Sequence, residues 1–236
     1  MEMTDYAALA QATIGAGKRL KHLYDPNATR QMQMDASTGK SVLAELAQRR
    51  EVCEMGIPGF FPTPKALARY VVERAGVEPG LRCLEPSAGT GNIALEMSKA
   101  MNNQPVCVEW NKSLFDILVR QFKNAIHADV MADEWRKQVG FEPFDRICAN
   151  PPFEKNQDIH HFRRYHDLLA PGGVMACIMS EHPWVSQHTT EREFVTWLGR
   201  IGADVEQLPP GTFLASERPT GVSARLVVVT NGQIRI

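Results

Sequence analysis

No apolar run in this chain approaches the roughly 20 residues that a membrane-crossing helix needs, so a membrane partner is not expected. The amino terminus carries Glu2 and Asp5 where a secretion signal would be basic and then apolar, and the expected location is cytoplasmic. Cysteine is scarce: Cys53, Cys83, Cys107, Cys148 and Cys177 show no close paired spacing, which excludes a disulfide scaffold or a thiolate metal knuckle. Four of the five fall in apolar runs, where cysteine behaves as a small hydrophobe. Neither charge sign is in excess, with 26 basic against 27 acidic side chains. No global field therefore attracts nucleic acid, and such a partner would have to be met by a local patch. His160, His161 and His166 share a predicted helix, but spacings of one, five and six do not place them on one face, so no metal is expected. Internal repeats and low-complexity tracts are also lacking.

What is there suffices for one sizeable core, with 44% hydrophobic residues in a chain of 236. Residues 1–55 read as a polar, Ala-rich helical segment, with one helix opening at Thr4 and a second from Ser41 to Glu54. Lys18, Arg19, Lys21 and His22 form a basic cluster that suits phosphates or plain solvation. Gly39-Lys40-Ser41 is no phosphate-binding loop, because Met34 stands where its first glycine would be.

Residues 56–236 form the second unit, and there the pattern alternates strand and helix. Thr63 and Pro64 open a helix with an apolar stripe through Leu67, Tyr70, Val71 and Ala75, Thr63 as its cap. Strands are predicted at Leu81–Glu85, Pro105–Glu109, Ala125–Asp129, Asp145–Ala149, Val174–Met179, Ala203–Leu208 and Ala224–Thr230. Helices are predicted near Glu134–Val139, at Ile159–Leu169 and at Glu191–Ile201. No helix fits between the last two strands, so the final strand should run antiparallel in a Rossmann-like, mostly parallel α/β sheet of seven.

Two stretches carry chemistry. Pro86 to Ala94 places Gly89 and Gly91 between a strand and a helix, where backbone can approach a ligand and helix N–H groups lie unpaired. The second strand then ends in Glu109, 18 residues beyond Gly91, an acid placed to hold ribose hydroxyls. Those glycines also match a dinucleotide fingerprint, which keeps a nicotinamide dehydrogenase open at this point. The other stretch is Asn150-Pro151-Pro152-Phe153 at the end of the fourth strand. Its amide oxygen and a bare carbonyl can both accept from one NH2 group, and Phe153 can grip a planar ring. Cys148 lies in the preceding strand and reads as core.

The order Glu85 to Gly91, Glu109, Asp129 and Asn150 to Phe153, with Phe61-Pro62-Thr63-Pro64 ahead and Leu208 to Phe213 and Gly221 to Val227 behind, resembles the S-adenosylmethionine-dependent methyltransferases that act on the N6 amine of adenine in DNA. The compact members found on phages and plasmids are the most similar. The resemblance runs from about Phe61 to Val229 and implies a class I methyltransferase fold with S-adenosyl-L-methionine as cofactor. It implies that Thr63 and Pro64 border the methionine part, that Glu85, Gly89 and Gly91 lie beside it, and that Phe61, Ser87 and Trp110 complete the pocket. Glu109 would take the ribose hydroxyls, and Asp129 the cofactor adenine amine. Asn150 and the Pro151 carbonyl would hold the target amine beside Pro152, with Phe153 stacked on a base flipped out of the duplex. Seven residues follow Val229, so sequence readout is expected from loops, with Trp184 and Arg218 as substrate contacts and a short or relaxed preference. The same Asn-Pro-Pro device serves enzymes acting on RNA adenine or guanine amines and on protein glutamine, and a catalytically silent nucleic-acid-binding subunit is a further alternative.

Overall fold

The computed structural model describes residues 57–216 and 218–232. The expected helical segment 1–55, its cluster from Lys18 to His22, and Cys53 lie outside the described residues.

Helix α1 spans Lys65–Ala75 and stops at Gly76, whose φ of 64° is a left-handed cap that suits glycine. Its buried face is Leu67, Ala68, Val71, Val72 and Ala75, while Tyr70 sits at the edge and donates its hydroxyl to Glu206 Oε2 at 2.6 Å. Pro64, rather than Thr63, occupies the N-cap and makes no side-chain capping bond. The Thr63 hydroxyl instead accepts from Asn150, so a residue read as a local cap serves a long-range contact.

The strands are β1 (Cys83–Glu85), β2 (Val106–Glu109), β3 (Ala125–His127), β4 (Phe144–Ala149), β5 (Leu169–Ser180), β6 (Asp204–Gln207) and β7 (Ala224–Thr230). They form one seven-stranded sheet in the order β3-β2-β1-β4-β5-β7-β6. Pairing is parallel from β3 through β5, and β7 runs antiparallel between β5 and β6. Among the helices, α2 is Asn92–Met101, α3 Lys112–Leu118, α4 Gln157–Asp167, α5 the short His182–Val185, and α6 Thr189–Arg200. The helix expected near Glu134 is a single 3-10 turn, Glu134–Gln138, anchored by buried Trp135.

Both sheet faces are covered, which is why the central strands are apolar without alternation. Along β4, Ile147 and Ala149 face α4 and α6, in a core with Phe162, Tyr165, Phe194 and Leu198. Cys148 faces the other way, toward α1 and α2, among Leu67, Val71, Ile93 and Met97. Cys83, Cys107, Cys148 and Cys177 are free and buried, and burial pushes the Cys148 thiol well up, so it stays protonated.

Strand β1 pairs with β2 on one side and β4 on the other. Chain direction around the sheet reverses there, and the carboxyl ends of β1 and β4 part to leave a crevice. The turn after β1 depends on Gly91: its φ is 85°, and a Cβ there would stand 2.6 Å from Phe122 Cε2 and 2.8 Å from Leu118 Cδ1. Left-handed strain of about 1–2 kcal/mol adds to overpacking of about 1–3 kcal/mol. Gly91→Ala should therefore lose several kcal/mol in urea denaturation, and a midpoint equal to wild type would show that this turn relaxes freely.

Candidate active site

Two buried carboxylates fold the crevice. Glu85, ending β1, accepts the Ala94 N–H of α2 at 2.7 Å; burial pushes its carboxyl well above the usual range, against the pull of that backbone bond. Glu109, ending β2 and 5% exposed, spreads its two oxygens: Oε2 accepts Gly89 N–H at 2.8 Å and Oε1 accepts Asn111 N–H at 2.7 Å. Burial raises its pKa also, opposed by the amides of Asn111, Gly89 and Trp110. The carboxylate lines the cleft and keeps acceptor capacity beyond those amides, so it can take a ligand hydroxyl without giving up the turn it holds. Trp110 stands 67% exposed beside it. Asp129, past the end of β3, is exposed and its Oδ1 accepts Met131 N–H at 2.9 Å.

Asn150 follows β4 at the opposite lip. Its Nδ2 donates to the Phe61 carbonyl at 2.8 Å and to Thr63 Oγ1 at 3.0 Å. Both donors are thereby spent, and the side-chain oxygen is assigned by that network. Oδ1 is buried and has no hydrogen-bond partner among the described residues. An orphaned buried acceptor costs about 1–3 kcal/mol, relieved when a donor arrives.

Residues Ile57 to Phe61 cross the crevice as a strap. Arg218 Nη1 donates to the carbonyls of Ile57 at 2.9 Å and Phe60 at 3.0 Å, with its guanidinium 5.7 Å from the Phe61 ring centre. Glu154 Oε1 accepts Gly59 N–H at 3.0 Å. Gly59 has a φ of 69°, and a Cβ there would meet Pro152 Cβ at 2.9 Å. The Phe60 ring lies over Gly89, where a Cβ would stand 2.9 Å from Cε2; two glycines thus let the strap lie flat.

Phe61, Thr63, Glu85, Ser87, Gly89, Glu109, Trp110, Asn150 and Pro152 line one cleft. Pro64, Gly91, Asp129, Pro151, Phe153, Trp184 and Arg218 do not line it. Phe153 stacks on Phe61, ring centres 5.7 Å apart and planes 23° apart, with Phe213 edge-on at 6.5 Å. Trp184 packs against the core beneath Arg225, whose guanidinium is 4.9 Å from its ring centre. Arg218 commits its Nη1 donors to the strap.

Sequence reasoning missed the fastening of the strap by Glu154, the packing of Phe60 on Gly89, and a polar chain behind the cleft. Ser87 Oγ lies 2.5 Å from Tyr165 OH, which lies 2.8 Å from His161 Nδ1. The only sequence signal for it is the four-residue step from His161 to Tyr165. Burial lowers the His161 pKa from 6.5 to about 4, opposed by nearby Asp129. The unfolded chain therefore binds more protons between those values, so this contribution to stability is complete above pH 6.5 and is lost as pH falls toward 4. His161→Gln should flatten the acid limb by up to roughly 3 kcal/mol, read as urea stability at neutral and acid pH; parallel limbs would deny His161 that role.

The methyltransferase small domain family matches residues 70–196. The chain belongs to this family. No curated protein sequence matches it. Among solved structures it is similar to the type I restriction enzyme EcoKI M protein, at 13% identity and a TM-score of 0.61, over 75% of this chain and 45% of that one. TrmN from Thermus thermophilus gives 21% identity and a TM-score of 0.52, over 71% and 48%. An O-methyltransferase from Bacillus cereus in complex with SAH gives 13% identity and a TM-score of 0.58, over 80% and 91%. The chain spans about half the length of the first two.

The cofactor of this methyltransferase is S-adenosylmethionine. The residues present fit it: a cleft-lining carboxylate with acceptor capacity to spare, and a glycine turn with no room for side chains. When bound, it supplies an electrophilic methyl group. Among the described residues, no helix is long and apolar enough to cross a membrane.

Proposed function

We propose that this methyltransferase transfers a methyl group to the exocyclic N6 amine of adenine in DNA, with a short or relaxed sequence preference. The observation that carries this reading is the buried, unpartnered Oδ1 of Asn150. The lone pair of an adenine amine is conjugated into its ring and is a poor nucleophile. An acceptor for each amine hydrogen, Asn150 Oδ1 and the Pro151 carbonyl, draws the nitrogen toward a tetrahedral geometry. A bond then forms from nitrogen to the methyl carbon as the bond from that carbon to sulfur breaks, and the amine proton leaves to solvent.

In this reading Glu109 holds the ribose hydroxyls, while Glu85, Ser87, Gly89, Gly91, Phe61, Thr63, Pro64 and Trp110 shape the rest of the cofactor pocket, and Asp129 takes its adenine amine. Phe153 is the platform for the target base, which must leave the duplex to reach Asn150, at a cost of a few kcal/mol. The likeness to a restriction enzyme M protein supports DNA as substrate; the Asn-Pro-Pro device, which also serves enzymes acting on RNA amines, keeps RNA as the second reading.

The test offers S-adenosylmethionine with DNA from a host lacking adenine methylation, with RNA, or with a release-factor peptide, and reads digested products by mass spectrometry. N6-methyladenine from DNA is expected. Methylation confined to RNA or peptide would overturn the substrate, and no methylation of any amine would overturn the chemistry.

A further inference from the structure

Five of the twelve described arginines have a carboxylate partner among the described residues. Arg69 pairs with Glu73, Arg74 with Asp204 and Glu206, Arg136 and Arg164 with Asp133, and Arg225 with Glu181. The furrow between α4 and α6 gathers three of the other seven. Arg163, Arg192 and Arg200 line it, all three are exposed, and among the described residues none has an ion-pair partner. A single carboxylate, Glu193, shares the furrow.

The geometry is organised. The guanidinium of Arg163 lies 4.9 Å from the ring centre of Trp197 and 5.9 Å from that of Phe194. A cation held on aromatic faces keeps its N–H donors outward without a counter-charge. Arg192, Thr196 and Arg200 fall at four-residue steps on α6, so the two arginines stand on one ridge about 12 Å long, while the Thr196 hydroxyl donates to the Arg192 carbonyl at 2.8 Å. Helix α6 begins at Thr189, with residues 181–188, the short α5 among them, between it and the carboxyl end of β5. The furrow therefore starts at the rim that carries the active site and leads away from it. In a chain whose formal net charge is -1, such a local surplus supplies the attraction for a polyanion that the whole molecule lacks.

We infer that the α4–α6 furrow is a track for the sugar-phosphate backbone of the nucleic acid that flanks the target nucleotide. This rests on the nucleic-acid reading given above and adds to it a surface outside the cofactor cleft. The track grips phosphate, so it fixes position and carries no sequence information, in keeping with a short or relaxed preference.

The test compares the full chain with Arg192→Gln/Arg200→Gln, which leaves the aromatic packing of Arg163 intact, and with the triple variant that adds Arg163→Gln. Binding of a labelled short DNA duplex and of an RNA hairpin is followed across a salt series, with S-adenosylhomocysteine affinity as the control for folding. The slope of log affinity against log salt should shrink by about 0.9 for each duplex phosphate that is no longer neutralised, so by about 2 to 3 in the triple variant. Affinity near physiological salt should fall roughly tenfold or more, with cofactor affinity unchanged. Glu193→Gln should act oppositely and tighten binding. An unchanged slope, a Glu193→Gln variant that binds more weakly, or loss of self-association with the slope intact would overturn the track while leaving the chemistry standing. A wild type that binds neither nucleic acid would overturn the track and the substrate together. One that binds DNA or RNA with the expected slope change but methylates neither would support the track and defeat only the adenine reading.

Discussion

Asn150→Ala should slow methyl transfer by about a hundredfold or more, the scale for removing one oriented polar group from a water-excluded site. The structure adds a second effect. Asn150 also ties down Phe61 and Thr63 through its Nδ2, so alanine loosens the strap and should weaken S-adenosylhomocysteine a few-fold, about the worth of a neutral hydrogen bond or two. Asn150→Asp separates the two roles. It keeps an acceptor oxygen while losing both donors, so it should retain much more transfer rate than alanine and yet share the weaker cofactor binding. Single-turnover rates at saturating cofactor measure the first effect and calorimetry the second. If alanine turns over near the normal rate, Oδ1 is not an acceptor for the target amine.

Glu109→Ala should raise the dissociation constant of S-adenosylmethionine by roughly thirty- to a hundredfold, the equivalent of about 2–3 kcal/mol for hydrogen bonds to a charged group. Part of that loss is indirect, because the side chain holds the Gly89 and Asn111 amides and its removal leaves the turn itself unsupported. Glu109→Gln tests the share: its Oε1 can accept one of those amides, but its NH2 would face the other. Glutamine should therefore fall nearer to alanine than to wild type. Calorimetry showing wild-type affinity for either folded variant would remove Glu109 from the pocket. Measurable NAD affinity above that for S-adenosylmethionine would revive the dehydrogenase rival.

Legibility in the sequence follows range. Strands β2, β4 and β7 and the turn at Gly89 and Gly91 are readable because apolar runs and glycines act within a few residues. The antiparallel β7 follows from the lack of room for a helix after β6, and β7 does run antiparallel; its insertion between β5 and β6 is not readable. The cleft's carboxylates can be named as strand-end acids, but their backbone partners cannot. Thr63 is the clearest limit. Its position before Pro64 satisfies every local rule for a cap, yet its hydroxyl is used by Asn150, 87 residues away. Arg218, singled out for a substrate, gives both Nη1 donors to Ile57 and Phe60 across more than 150 positions. Bonds of that span leave no periodic trace.

The strap and the amine acceptor are wired as an interlock. The strap roofs the cleft, and it is latched by Arg218 and Glu154, which belong to the segments that follow β6 and β4. Its last carbonyl, Phe61, is also what keeps the Asn150 amide from turning over. A displacement of the strap that broke this bond would release the Asn150 amide, and with it the aim of Oδ1.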